Sequence, residues 1–434
     1  MPPYRAGDAV LATLRQRNFA LLWIAGLISV AGDFALVAAL PLHAYALTGS
    51  AIATGGVIAA ALLPRVVLGS MAGVLVDRWD RRWTMMAADL LRAMTLLPLL
   101  AMGSADALWL LYLVRFATST LTLFFNPAES ALLPRLVGKE RLVTANALNA
   151  LNDNLGRLVG PALGGVVYAT SGLGVVVLAD ATTFLVSALC IAAIRIPTPQ
   201  ERIAVDPAPT TGGRRFFQEW RAGIEVIRRD RTLSVIFLAV SVGVLGEGTF
   251  AVGFVPLVVR VLDGGAEAVG LLLSAQAMGG IVAGVAIARM AARVTPRLLF
   301  AGGLVGIGLT DLGLAHAATL TPPGLSPVNL AAAWMLLGGI PSVAGLAAGR
   351  GLVQVRTADT FRGRVFGALD ATYGVATLVG LALGGVAIAV VGVVPVLSIG
   401  AAMWIIGGIL AWSRLSPGLV DAEAEPGSEP PSPA

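Results

Sequence analysis

The residues of this chain that could do chemistry are acids and arginines placed inside long apolar stretches. Asp33 and Glu247 each lie in the interior of such a stretch, and Arg115, Arg157 and Asp180 lie in three others. A charge at the centre of a membrane helix costs about 2.5 to 3.5 kcal/mol on insertion scales, so each calls for a partner, a cavity or a function. These side chains can bind protons or hold groups of opposite charge.

Composition excludes most other classes of protein. Of the 434 residues, 57% are hydrophobic and 13% are charged, whereas soluble domains carry about 25% charged residues. The single cysteine, Cys190, rules out an internal disulfide framework and a multi-cysteine metal site. Two distant histidines and one cysteine leave no nucleophile–base pair. We therefore expect a membrane protein that is not an enzyme and that holds no metal and no cofactor.

Apolar runs of about 20 residues divide the chain into twelve predicted membrane spans, numbered here in chain order. Spans 1 to 6 are predicted at 19–47, 51–76, 83–103, 106–127, 143–168 and 173–195. Spans 7 to 12 are predicted at 232–260, 267–290, 297–318, 328–349, 363–391 and 393–413.

The basic residues indicate the orientation of these spans. Of the 30 lysines and arginines, 25 lie at the two ends of the spanning region and in the even-numbered loops, whereas the odd-numbered loops contribute only Arg260. Because cytoplasmic loops carry the excess of positive charge, both termini are predicted to be cytoplasmic. The same distribution explains a pI near 10 without nucleic acid, which we do not expect as a partner.

An internal repeat indicates that the chain consists of two halves. The segment Leu158–Val166 of span 5 matches Leu378–Val386 of span 11 at an offset of 220. Gly32-Asp33 and Pro41-Leu42 of span 1 match Gly246-Glu247 and Pro256-Leu257 of span 7 at offsets of 214 and 215. Chance matching of abundant small residues is the alternative. Duplication predicts a substrate path between the halves, near the membrane midplane.

The predicted organisation has four parts. We expect an N-terminal six-helix bundle at 1–195, a cytoplasmic linker with an amphipathic helix at 196–231, a C-terminal six-helix bundle at 232–415 and a disordered acidic tail at 416–434.

The loop after span 2 carries a family resemblance. Its sequence contains Gly73, then Asp77-Arg78, then the basic pair Arg81-Arg82. It resembles the loop signature of the major facilitator superfamily, and the form Asp-Arg-x-Asp-Arg-Arg resembles the macrolide-efflux and enterobactin-exporter branch. The resemblance implies that Asp77 and the arginines form a latch at the cytoplasmic mouth, with Glu129 as a candidate partner. A role in topology alone is the alternative.

Span 5 carries a second resemblance. Gly156, Gly160, Pro161, Gly164 and Gly165 resemble the antiporter motif of helix five in proton-coupled exporters of the superfamily. Glycines at this spacing form a smooth strip for close helix packing, and the proline lets the helix bend. Packing alone and a role in gating both remain open.

The buried charges complete the hypothesis. Asp33, Arg115, Arg157 and Asp180 could form a mixed-charge cluster within the N-terminal half, and Arg115 resembles the helix-four arginine of the proton-coupled exporters. We expect Asp33 and Glu247 to be proton or cationic-substrate sites, with Arg115 and Arg157 as modulators. A static ion-pair network is the alternative.

The fold class that we expect is an all-α polytopic membrane protein of twelve spans in two pseudo-symmetric six-helix bundles. The resemblance implies a monomeric secondary transporter in the cell membrane that exports an amphipathic small molecule, such as a drug, macrolide or siderophore, in exchange for protons. An importer or lysophospholipid-type carrier on the same fold is the first alternative. A membrane sensor that does not transport is the second.

Overall fold

The computed structural model of the protein describes residues 6–76, 79–195, 221, 223–290 and 294–415. Within these residues the regular structure is helical, and eleven helices are long and apolar enough to cross a membrane. The long helices are Arg17–Thr48, Ala51–Val76, Arg81–Leu96, Leu108–Val137, Leu142–Ala192, Arg231–Pro256, Ala266–Met290, Pro296–Ala315, Pro327–Arg356, Asp359–Val391 and Val393–Arg414. Shorter helical segments are Ala6–Leu14, Leu97–Ala101, Ala105–Ala107, Lys139–Arg141, Leu257–Val261 and Ala317–Leu320.

Predicted spans 5 and 6 lie in one helix of 51 residues, Leu142–Ala192. At about 1.5 Å per residue this helix is far longer than the roughly 30 Å of a bilayer core. Gly172 interrupts it with a φ of 75°, a left-handed conformation that glycine adopts without steric cost. The break falls between the two predicted spans, which is why the structure has eleven such helices where the sequence predicts twelve spans.

The predicted end of span 4 was wrong. The pattern placed it at Pro127, whereas the helix continues to Val137 and contains both Pro127 and Pro134. A proline inside a membrane helix removes one backbone hydrogen bond, which neighbouring helices compensate, so the helix need not stop. Span 10 likewise continues to Arg356, beyond its predicted end at 349.

The chain packs as two compact units. Unit 1 contains Met1–Gly212 and Phe254–Ala277, and its apolar core includes the fully buried Phe19 and Phe184. Unit 2 contains Gly213–Gly253 and Met278–Ala434. Its core surrounds Trp404 and Phe300.

Two predicted segments lie mostly outside the described residues. Of the predicted linker and amphipathic helix at 196–231, the structure describes 221 and 223–231, and 223–229 are helical. The predicted tail at 416–434 lies entirely outside them.

Candidate functional site

A buried ionic cluster in unit 1 is centred on Arg92 of span 3, whose side chain is 3% exposed. Its Nη2 lies 2.6 Å from Asp89 Oδ1, and its Nη1 lies 3.7 Å from Asp33 Oδ2. The guanidinium carbon lies 4.5 Å from the ring centroid of Phe125 and 4.6 Å from that of Phe184. Cation–π contacts with two rings and pairing with two acids hold this cation in place.

Two further carboxyl environments complete the acidic side of the cluster. The second oxygen of Asp89, Oδ2, accepts a hydrogen bond of 2.6 Å from Ser187 Oγ. Asp180 of span 6 is 1% exposed, and its Oδ1 accepts a bond of 3.1 Å from Thr183 Oγ1. Asp180 Oδ2 is buried without a hydrogen-bond partner among the described residues. A buried oxygen without a partner is costly, so this position can accept a hydrogen bond from a donor that enters the cluster.

Acids outnumber arginines in this cluster. Asp33 and Asp180 interact electrostatically with each other and with Arg92 and Arg115, and Asp89 interacts with Arg92 and Asp33. Three ionised carboxylates and two guanidinium groups carry a net charge of −1, and a nearby fourth carboxyl group, that of Glu129, interacts with Asp89 and Arg92. Because a net charge is costly to bury, the cluster can bind a proton. The Asp33 side chain is 30% exposed, so it is the acid of this cluster most open to the surroundings.

The structure brings together three of the four residues of the predicted cluster: Asp33, Arg115 and Asp180. Arg157 lies elsewhere, with its guanidinium carbon 5.3 Å from the ring centroid of Phe34. Its side chain is exposed and interacts with Asp153 on the same helix.

Sequence reasoning did not choose Asp89 and Arg92. They are three residues apart in span 3, which is the spacing of an acid–base pair on one helix face. That spacing inside an apolar stretch is the signal that could have identified the pair.

A second pair of acids lies in unit 2. Glu247 of span 7 and Asp311 of span 9 repel each other electrostatically. The indole of Trp404, 2% exposed, lies beside the Glu247 carboxyl group, but its Nε1 has no partner at hydrogen-bond geometry among the described residues. Trp404 belongs to an apolar core that includes Val244 and Ile307. Of this pair, sequence reasoning chose Glu247 from the repeat and did not choose Asp311.

The glycines of span 5 pack against span 1. A Cβ atom added at Gly164 would lie 2.5 Å from the carbonyl oxygen of Ala35, and one added at Gly160 would lie 2.6 Å from Phe34 Cβ. Gly156 faces Val30 in the same way. The two backbones can therefore come this close only because these positions have no side chain.

Two other members of the motif face the segment 254–277 of the same unit. A Cβ at Gly165 would lie 2.5 Å from the Ala266 carbonyl oxygen. The carbonyl group of Pro161 lies against Gly270.

Unit 2 contains an equivalent glycine contact. A Cβ at Gly384 of span 11 would lie 3.0 Å from Thr249 Cα of span 7. Gly384 follows Gly164 by 220 residues, and Thr249 follows Ala35 by 214. These are the offsets of the sequence repeat, so the shared contact supports a common origin of the two halves.

The loop after span 2 is described in part. Asp77 and Arg78 lie outside the described residues, and Gly73 lies in the helix Ala51–Val76. Arg81 Nη1 donates a hydrogen bond of 2.8 Å to the Ala131 carbonyl oxygen of span 4. Arg82 donates to backbone carbonyl groups at the end of span 6, with Nε 3.1 Å from the Ile191 oxygen and Nη2 bound to Ala192.

Glu129 of span 4 is connected to the ionic cluster. Its Oε1 accepts a hydrogen bond of 3.1 Å from Asn149 Nδ2. It also interacts electrostatically with Asp89, Asp153 and Arg92. This acid therefore belongs to the electrostatic surroundings of Arg92.

Within the part of the chain that the structure describes, eleven helices long and apolar enough to cross a membrane are typical of a multi-pass membrane protein. The structure of a bacterial homologue of the iron transporter ferroportin in its inward-facing state resembles this chain with a TM-score of 0.72. The match covers 93% of this chain and 99% of that one at 16% identity. It shows the fold of the major facilitator superfamily.

The chain belongs to the transmembrane secretion effector family of that superfamily, whose model matches residues 8–433. This is a family of transporters and not of enzymes, and its members are multi-pass membrane proteins, consistent with the cell membrane. The predicted membership of the major facilitator superfamily is thus confirmed.

Two curated relatives are each 28% identical to this chain over the residues that match. The multidrug efflux pump Tap of Mycobacterium tuberculosis is 28% identical over 379 residues, which are 84% of this chain and 85% of Tap. Macrolide efflux protein A of Streptococcus pyogenes is 28% identical over 224 residues. That match spans only 51% of this chain and 54% of the relative.

Proposed function

We propose that this protein exports an amphipathic organic compound, such as a drug, a macrolide or a siderophore, in exchange for protons by alternating access. The relatives named for macrolide and multidrug efflux support this direction and substrate class. The observation that carries the coupling is the buried cluster around Arg92, in which three carboxyl groups face two arginines. Twelve spans with cytoplasmic termini, arranged as two six-helix halves, complete the proposal.

The proton acts on the contact between span 1 and span 3. When Asp33 is ionised, it attracts Arg92 across 3.7 Å, while Asp89 holds the same guanidinium group at 2.6 Å. A proton taken up by Asp33 forms an O–H bond, leaves the carboxyl group neutral and weakens the attraction to Arg92. Span 1 can then shift relative to span 3, because Asp89 keeps Arg92 in place. Release of the proton restores the attraction.

Asp180 extends the same mechanism. Its carboxyl group repels an ionised Asp33, so a proton on either acid relieves the repulsion between them. Arg115 offsets part of the remaining negative charge. The cluster is therefore a proton site shared by two acids, with the arginines setting how readily it is occupied.

The acids of unit 2 form the second part of the proposal. Glu247 and Asp311 repel each other beside the apolar core around Trp404, and a positive charge next to them lowers that repulsion. A proton or a cationic group of the substrate provides such a charge. We assign Glu247 this role, with Asp311 as its neighbour.

Two further assignments follow the superfamily. The latch contains Gly73, Asp77, Arg78, Arg81, Arg82 and Glu129. In this chain Arg82 ties the loop to the end of span 6, which gives a latch a fixed base. The glycines of span 5 permit sliding against span 1, because no side chains interlock there.

Inverted membrane vesicles test the direction and the coupling. In such vesicles the cytoplasmic face points outward, so an exporter that exchanges protons accumulates substrate when the lumen is made acidic. We expect accumulation of the probes erythromycin or ethidium, and its loss when an ionophore collapses the pH gradient. An importer coupled to proton entry would instead deplete the lumen. Accumulation that ignores the gradient would contradict proton coupling.

A further inference from the structure

A groove on the membrane-facing side of unit 2 runs between span 9 and span 12. Its volume is about 390 Å³, within the range of about 300 to 1,000 Å³ that is common for small-molecule sites. The walls include Leu298 and Leu309 of span 9, and Ile409 and Trp412 of span 12. These four side chains are about half exposed, which in a membrane protein places them against lipid.

A glycine makes room within the groove. Gly302 lies between Leu298 and Leu309 along span 9, and a Cβ atom added there would meet only Leu298 Cδ1, at 3.8 Å. The space above Gly302 is therefore open to a ligand. The lining contains no acid, so nothing in it repels an anionic ligand.

A positive charge lies next to one wall of the groove, beside Trp412. Arg297 lies in the first turn of the helix Pro296–Ala315, with its guanidinium carbon 4.3 Å from the Trp412 ring centroid. Arg297 Nη2 donates to the Trp412 carbonyl oxygen, whereas its Nε is buried without a hydrogen-bond partner among the described residues. The positive end of the helix dipole adds to this charge. Arg414, two residues after Trp412, lies exposed at the same end of span 12.

We propose that this groove binds one acyl chain of an anionic glycerophospholipid, whose phosphate group is held by Arg297. The apolar walls suit the hydrocarbon chain, and tryptophan and arginine suit the depth of the lipid headgroups. The positive charge beside Trp412 and the lack of acids along the walls favour an anionic over a zwitterionic headgroup. The site is separate from the ionic cluster, and the proposal does not depend on transport.

Native mass spectrometry of the full-length protein in detergent tests this site. Phosphatidylglycerol and phosphatidylethanolamine with identical acyl chains serve as probes. We expect wild type to retain phosphatidylglycerol preferentially, and Arg297→Gln to lose about fivefold of that preference, the effect of one cation near an anionic lipid surface. Gly302→Leu fills the groove and is expected to reduce retention of both lipids.

Matched variants separate this site from the general lipid shell. Gly284→Leu also adds a side chain at an exposed span position with open space, and Arg350→Gln removes an exposed arginine; both are expected to bind lipid like wild type. Arg297→Lys keeps the charge and is expected to keep the preference. If wild type and Arg297→Gln showed the same preference for phosphatidylglycerol over phosphatidylethanolamine, the bound lipid would belong only to an unspecific lipid shell. Loss of the preference in Arg297→Lys would assign the effect to packing on Trp412, and either result would overturn the proposal.

Discussion

Arg92 Nη1 lies 3.7 Å from Asp33 Oδ2, and this contact joins span 3 to span 1 inside unit 1. The Arg92 side chain is buried, whereas the Asp33 side chain is 30% exposed. The pair therefore connects a partly exposed carboxyl group to a buried cation that Asp89 and two aromatic rings also contact.

Arg92 is expected to be the charged side chain whose loss destabilises unit 1 most. Arg92→Gln leaves Asp89 and Asp33 without their cation and removes both ring contacts. Breaking a buried ion pair from one side costs about 3 to 5 kcal/mol of unfolding free energy. Thermal unfolding of the detergent-solubilised protein measures the loss.

Two further variants check the cause of that loss. Adding Asp89→Asn to Arg92→Gln removes the buried negative charge and is expected to restore part of the stability. Arg350→Gln is the control, because the Arg350–Asp370 pair is exposed and spans 3.8 Å, so it contributes less than about 1 kcal/mol. If Arg92→Gln and Arg350→Gln lowered the stability to unfolding equally, Arg92 would not be the side chain that stabilises the ionic cluster.

The glycine contact between span 5 and span 1 predicts a graded response. Gly164→Ala places a Cβ atom 2.5 Å from the Ala35 carbonyl oxygen, whereas Gly384→Ala places one 3.0 Å from Thr249 Cα. Overpacking of this kind costs about 1 to 3 kcal/mol, with the larger loss expected at Gly164.

The exposed Gly284 serves as the control for both, since a Cβ atom there meets nothing within 4 Å. Midpoints of thermal unfolding for the three alanine variants rank the positions. If Gly164→Ala were as stable as Gly284→Ala, the close approach of the two helices would be refuted.

Arg260 anchors the loop after span 1. Its Nη2 donates a hydrogen bond of 2.9 Å to the Gly49 carbonyl oxygen, and its guanidinium carbon lies 5.2 Å from the Tyr45 ring centroid. The π-helical turn Leu257–Val261 presents the side chain there. A hydrogen bond from a charged group contributes about 1.5 kcal/mol. Its loss should therefore expose the loop at Gly49 to solvent about tenfold more often.

Cysteine labelling measures that opening. In a background with Cys190→Ser, a cysteine in place of Ser50 is expected to react about tenfold faster with a water-soluble maleimide when Arg260→Gln is added. Arg260→Lys keeps the charge near Tyr45 and should fall between the two. An unchanged labelling rate in Arg260→Gln would show that the contact with Arg260 does not hold the loop at Gly49 in place.

The acid pair of unit 2 predicts a gain in stability. Asp311→Asn removes a like charge next to Glu247, so the free energy of unfolding is expected to rise. Thermal unfolding at pH 8 measures it. Asp370→Asn, which removes an exposed carboxyl group, should have little effect. A loss of stability in Asp311→Asn would contradict mutual repulsion.

Much of the fold could be predicted from sequence because a membrane-spanning helix needs an apolar run of about 20 residues, and such runs can be found in the sequence. Span 2 was predicted at 51–76, and its helix is Ala51–Val76. Span 12 was predicted at 393–413 and ends one residue later, at Arg414. Composition alone could not show that span 4 continues through Pro127, because that depends on helices packed beside it.

Less of the candidate site could be predicted. Depth along a span, which follows from counting residues, grouped Asp33, Arg115 and Asp180, and the structure places these three within electrostatic reach of one another. The rotation of each helix does not follow from counting, so Arg157 was placed in a cluster from which its helix face directs it away. The importance of Arg92 depends on aromatic rings from spans 4 and 6, which only tertiary packing brings to it.

Proteoliposomes containing the purified protein test the central claim that Asp33 couples transport to protons. The measurement is substrate-dependent proton flux, with erythromycin and ethidium as probes, for wild type, Asp33→Asn and the loop control Asp106→Asn. We predict proton flux in wild type and Asp106→Asn, and its loss in Asp33→Asn while exchange of labelled substrate across the membrane continues. Normal proton-driven transport against a gradient by Asp33→Asn would contradict the account.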